Sequence, residues 1–159
     1  MNPSTIASID RAALSRALED ADSDREHYLC LTAGTLHTFV RSRASDESAD
    51  AYERVQEGLG DEFLRIPSRN PQAAFEEIED FVESVENPEI RDEFFRAIER
   101  RGALRNFREA ILPHSQEMQR WSEWRREGRE KRMEGFLRSL PGEALTGDGD
   151  LNGEEIGAT

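Results

Sequence analysis

A chain of 159 residues, 36% of them apolar, is long enough to bury roughly two thirds of the surface its unfolded form exposes, so one ordinary domain is expected. The single cysteine, Cys30, excludes an internal disulfide and has no paired zinc spacing around it, which points to a reducing cytoplasm. Met1 to Thr5 show neither a basic start nor an apolar h-region, and no apolar run approaches the about 20 residues of a bilayer span, so secretion and membrane insertion are not expected.

The net charge of -13 comes from 34 acids against 21 bases, and every base but Lys131 is an arginine. Such an acid excess suits a GC-rich genome or a saline cytoplasm, because carboxylates keep their hydration and repel neighbouring molecules. The sign is uneven along the chain. Residues 100–138 carry 11 bases and 6 acids, residues 1–99 carry 10 bases and 23 acids, and residues 139–159 carry five acids and no base. One basic segment therefore stands inside an acidic protein.

Ile9-Asp10 followed by Leu14, Ala17 and Leu18 reads as a hydrophobic staple, an N-cap and an amphipathic helix that stops before Asp20. His27 to Leu31 and Leu36 to Val40, rich in aromatic and branched residues and parted by Thr32-Ala33-Gly34-Thr35, predict a β-hairpin. Alternation puts Leu29 and Leu31 on one face and Tyr28 and Cys30 on the other, so both faces of the sheet are expected to be at least partly covered. Ser45 to Leu59, with Ala49, Tyr52, Val55 and Leu59 at helical spacing, predicts a short helix stopped at Gly60. Phe63 to Ile66 before Pro67 predicts a third strand at a sheet edge.

The second half is helical. Asn70-Pro71 supplies a cap and a first-turn proline, and the stripe Ala74, Phe75, Ile78, Phe81, Val82 and Val85 follows. Asn87-Pro88 repeats the device before Ile90, Phe94, Ala97 and Ile98, and Gly102 stands where a left-handed C-terminal cap is wanted. Leu104, Phe107 and Ile111 mark a shorter helix stopped by Pro113, and Ser115 begins a longer one running towards Leu140. The expected architecture is α+β: a three-stranded antiparallel sheet, made of a hairpin plus one strand, with an N-terminal helix and a four-helix C-terminal half. Residues 1–140 are expected to form the domain, and residues 141–159 a loose acidic, glycine-rich tail.

The run Arg101-Gly102-Ala103-Leu104-Arg105-Asn106-Phe107-Arg108-Glu109, together with Trp121, the Phe63 to Pro67 strand and the Phe75, Ile78, Phe81 helix, resembles uncharacterised protein family 0158 of the UPF series. The hairpin from Tyr28-Leu29 to Gly34 agrees, and the resemblance spans roughly residues 9 to 140. Cys30 stands where the family tends to have an aspartate, Ala33 where it tends to have threonine and Leu104 where it tends to have phenylalanine. The resemblance implies a compact bacterial domain and no reaction, and no hairpin carboxylate is available here for catalysis.

Four candidate sites follow from the residues. Arg125, Arg129 and Arg132 fall at i, i+4 and i+7, and with Arg101, Arg105 and Arg108 they could present guanidinium forks to phosphates or carboxylates. The competing expectation is internal pairing with Glu76, Glu77, Asp80, Glu83, Asp92 and Glu93. Trp121 and Trp124 are expected mainly in the core, with Trp124 able to anchor a partner at its margin. Cys30 and His37 would be cross-strand neighbours if the hairpin closed symmetrically about Ala33-Gly34, although strand cysteines are more often packing than nucleophiles. Asp148, Asp150, Asn152 and Gly153 match the first half of a calcium loop whose twelfth position would be Thr159 in place of the required glutamate.

No phosphate-binding glycine loop, dinucleotide fingerprint, Gly-x-Ser-x-Gly or His-Glu-x-x-His occurs, so neither cofactor nor metal is expected. The reading favoured by the residues is a non-enzymatic domain that binds another macromolecule, foremost a protein, through Arg101, Arg105, Arg108, Arg125, Arg129, Arg132 and Trp124. A nucleic-acid partner for the arginines stays open, disfavoured by the overall charge, as does an enzyme whose site assembles from distant positions.

Overall fold

The structure, a computed structural model, describes residues 1–141. The acidic tail, with its half calcium loop, lies outside the described residues. The described chain gathers into two compact units, one built from Met1–Ser68 together with residues 132–141, the other from Arg69–Lys131.

The first unit holds the sheet. Its helix α1 (Pro3–Ser8) starts from Asn2, whose side chain accepts from the Ser4 and Thr5 amides, the same Asn-Pro device that opens two later helices. Helix α2 (Arg11–Glu19) is capped by Asp10, which accepts from the Ala13 amide at 3.1 Å. Ile9 and Leu14 are buried in one cluster, so the staple forms as its spacing predicts. Strand β1 (Arg25–Cys30) is central, flanked antiparallel by β2 (Leu36–Val40) and β3 (Phe63–Ile66). A single 3-10 turn at Arg41–Arg43 leads to α3 (Asp46–Glu57), where Ser45 and Ser48 form a capping box. Its cap residue is Gly58, and Gly60, the expected stop, lies beyond in a left-handed turn.

Both faces of the sheet are covered, as alternation requires. Leu29 and Leu31 pack with Leu14, Leu18, Ile66 and Leu140 on one side, whereas Tyr28 and Cys30 pack with Val55, Phe63, Phe39 and Tyr52 on the other. At the end of α2, Asp20 accepts a two-point hydrogen bond from Arg25 (2.7 and 3.1 Å) and lies 2.7 Å from His27 Nε2. The Arg25 guanidinium, aided by His27, holds this carboxyl well below the usual carboxylate range against the opposing effect of burial.

Because its folded value is depressed, the Asp20 contribution is present above the unfolded carboxylate range near pH ~4 and is lost as the pH falls through the folded value. Thermal melts of wild type and Asp20→Asn should therefore differ most at neutral pH and converge in acid. A gap that stays constant down to pH ~2 would remove Asp20 from the acid limb.

The second unit is helical: α4 (Pro71–Glu83), α5 (Pro88–Glu99), α6 (Ala103–Ile111) and the first part of α7 (Ser115–Ser139). Asn70 and Asn87 cap α4 and α5. Gly102 is left-handed with φ of 83°, as expected, but the C-cap of α5 is Arg100, and Gly102 instead opens α6 as its N-cap. The core is aromatic. Phe107 meets Phe81, Phe94 and Trp121 at centroid distances of 6.1, 5.4 and 5.1 Å. Among the described residues no helix is long and apolar enough to cross a membrane.

Candidate functional site

Helix α6 turns Phe107 and Ile111 inward. At 100° per residue, Leu104, Arg108, Leu112 and Arg105 occupy one arc of about 100° that begins about 20° from Ile111 and turns away from the buried stripe. Leu104 is 42% exposed and Leu112 64% exposed, and Arg101, Arg105 and Arg108 are exposed with them. Asn106 donates to the carbonyl oxygens of Ala97 (3.0 Å) and Arg101 (3.1 Å), which fixes the turn that carries Arg101. Sequence periodicity groups Leu104 with the buried stripe, and it lies at the margin of that stripe, beside Ile111 and still 42% exposed.

Internal neutralisation of these arginines by the acids of α4 and α5 is not what the fold provides. Glu93 takes His114 at 2.7 Å, and Glu77 takes Arg69 at 3.5 Å. Among the described residues, Arg101, Arg105, Arg108, Arg125 and Arg129 have no carboxylate within ion-pair distance. The α7 stripe divides three ways. Arg125 lies over the Trp121 ring at 5.9 Å, a cation–π distance. Arg129 is half-buried, and Arg132 makes a two-point bond to Glu19 of α2 at 2.7 and 2.5 Å. Arg132 thus serves its own unit's packing.

Both indoles pack on the helical core, Trp121 at 5.1 Å and Trp124 at 5.6 Å from the Phe81 ring, and both keep partial exposure. Cys30 and His37 are not brought together. The register pairs Tyr28 with His37, because the Cys30 amide donates to the Thr35 carbonyl (2.8 Å) and the Gly34 amide to the Cys30 carbonyl (2.9 Å), with Gly34 left-handed at φ 75°. A loop closed in that way shifts the register from the symmetric one. The Cys30 sulfur lies 3.2 Å from the Thr32 hydroxyl, and His37 stands edge-on to Phe63.

The sheet unit holds a cleft of about 530 Å³ that periodicity did not foretell, lined chiefly by Phe39, Val40, Arg41, Arg43, Ala49 and Tyr52 with Glu26 at its base. Glu26 is only 4% exposed. Arg41 donates to it at 3.0 Å and Arg65 lies at 3.3 Å, and the Arg41 hydrogen bond holds the carboxyl below its ordinary range although burial opposes it. Phe39 and Tyr52 stand edge to face at 5.3 Å. The signal that could have found this site is Glu26 itself, an acid whose strand phase matches buried Tyr28 and Cys30.

Compared with known protein families, residues 1–143 match the model of Uncharacterised protein family (UPF0158). The chain belongs to that family. No curated protein and no solved structure matches it. Among the described residues of this UPF0158 member, no group of three His, Cys, Asp or Glu side chains is placed to hold a metal ion.

Proposed function

We propose that this UPF0158 chain is a protein-docking domain of the bacterial cytoplasm that receives an acidic, partly apolar partner surface on the outer arc of α6. The observation that carries the reading is the combination on that arc. Arg101, Arg105 and Arg108 stay without carboxylate partners among the described residues in a chain of net charge -13, and two leucines are exposed beside them. Arginine with large apolar groups is the composition of interface hot spots. A polyanionic nucleic acid would use the arginines but not the leucines, and most of this surface repels it.

The test uses the tagged full chain, wild type against Arg105→Glu/Arg108→Glu and against Leu112→Asp, in co-purification from native cells with identification of the recovered proteins. The expected result is one or a few acidic proteins lost with both variants. Recovery of the same proteins by all three chains would defeat the proposal. Salt-sensitive shift of a 20-base-pair duplex that both wild type and Leu112→Asp produce would transfer the arginines to nucleic acid.

A further inference from the structure

Strand β2 lies at the outside of the sheet, order β2-β1-β3. The bonds from the Cys30 amide to Thr35 and from the Arg41 amide to Asp24 fix which residues exchange hydrogen bonds with β1. They are residues 35, 37, 39 and 41, by the antiparallel alternation. The amides and carbonyls of Leu36, Thr38 and Val40 therefore point away from β1. An edge of this kind is a template for a further strand, and covering it is a common device where pairing is unwanted. Here the edge borders the cleft beside α3.

We infer that this edge and cleft form a second binding site, which takes an extended segment of another protein added antiparallel to β2 and carrying an acidic residue two positions before a large apolar one. The spacing follows from the register. Partner residues opposite Leu36, Thr38 and Val40 make the backbone bonds. Partner residues opposite Phe39 and Arg41 project to the α3 side, where side chains of odd-numbered β2 residues meet Glu26 and Tyr28. In an antiparallel addition the residue opposite Arg41 precedes the residue opposite Phe39 by two. The apolar side chain enters the cleft against Phe39 and Tyr52, and the acidic one meets Arg41 and Arg43.

Charge decides the polarity of the partner. Glu26 is the sole acid lining the cleft, and it faces two guanidiniums, Arg41 and Arg65, already within 3.3 Å. Arg43, at the mouth, makes no ion pair among the described residues. In the lining, two guanidiniums, Arg41 and Arg43, stand against one carboxylate that Arg65 also contacts, which leaves a net positive site in an acidic protein, so a carboxylate is attracted and an ammonium group refused. Backbone bonds give such strand addition its affinity, and the alternate side chains its specificity.

The probe is a capped, dye-labelled nonapeptide, Ser-Thr-Glu-Thr-Phe-Thr-Val-Thr-Ser, titrated with the full chain by fluorescence anisotropy. Two control peptides share its composition or length. One moves the glutamate next to the phenylalanine, which sends the two side chains to opposite faces, and one replaces glutamate with lysine. Both controls are expected to bind at least about tenfold more weakly. On the protein side, Arg43→Glu and Phe39→Ala should each weaken the parent peptide by about tenfold. Circular dichroism melts establish that the variants fold, and if Phe39→Ala does not, the peptide controls on wild type still decide. Equal binding of the parent and the shifted-glutamate peptide, or no binding of the parent at 1 mM protein, overturns the inference.

Discussion

Phe107→Ala should destabilise the helical unit by about 3–5 kcal/mol, the range for emptying a fully buried aromatic site. Phe107 is 1% exposed and is the ring on which Phe81, Phe94 and Trp121 converge, all within 6.1 Å. Its removal deletes three edge-to-face contacts as well as the buried area. Collapse to fill the space is hindered, because the three rings come from three different helices, α4, α5 and α7. The two tryptophans of the chain, Trp121 and Trp124, both lie against Phe81, so indole fluorescence in a urea titration reads this unit directly. Phe107→Leu, which keeps most of the volume, should cost clearly less. A Phe107→Ala midpoint within error of wild type would remove the aromatic hub from the account of stability.

Leu29→Ala is expected to cost about 2–5 kcal/mol in the sheet unit. Leu29 is fully buried in the central strand, with Leu36 and Leu64 directly opposite it on the two neighbours. It shares its cluster with Leu14 and Leu18 of α2 and with Leu140. A cavity at that point loosens both strand pairs and the helix above them. Far-ultraviolet circular dichroism in urea measures the loss, and hydrogen exchange at the β1 amides localises it. Unchanged protection of β1 in the variant would contradict the central place given to this side chain.

The elements legible in the sequence are those written in local chemistry. Asn70-Pro71 and Asn87-Pro88 announce two helix starts, and β3 begins at Phe63 and ends at Ile66 where the apolar run and Pro67 indicate. Helix α1 uses the same Asn-Pro device at Asn2-Pro3 but has no apolar stripe, so periodicity passes over it. What stayed hidden depends on partners far apart in the chain. Arg132 finds Glu19 across 113 residues, and Glu26 is made tolerable in the interior by Arg41 and Arg65, each from another strand or turn. The Cys30–His37 pairing failed on a local detail, the closure of the loop by bonds from the Cys30 amide to Thr35 and from the Gly34 amide to Cys30, which sets His37 opposite Tyr28. Leu104 and Leu112 carry the proposed docking surface; Leu104 stands only about 20° around α6 from buried Ile111, so spacing along the chain does not announce its exposure.

Cys30 offers a built-in gauge of one strand. It is the chain's single thiol, buried in β1. Burial pushes its pKa up, but hydrogen bonds from the Thr32 hydroxyl and from the backbone of Ala33 and Thr32 more than offset this, leaving the thiolate easier to form than in an ordinary cysteine. Sealed by packing while the strand stays closed, it makes alkylation speed a stopwatch for the parting of the hairpin from α3, timed in the native chain without an engineered label.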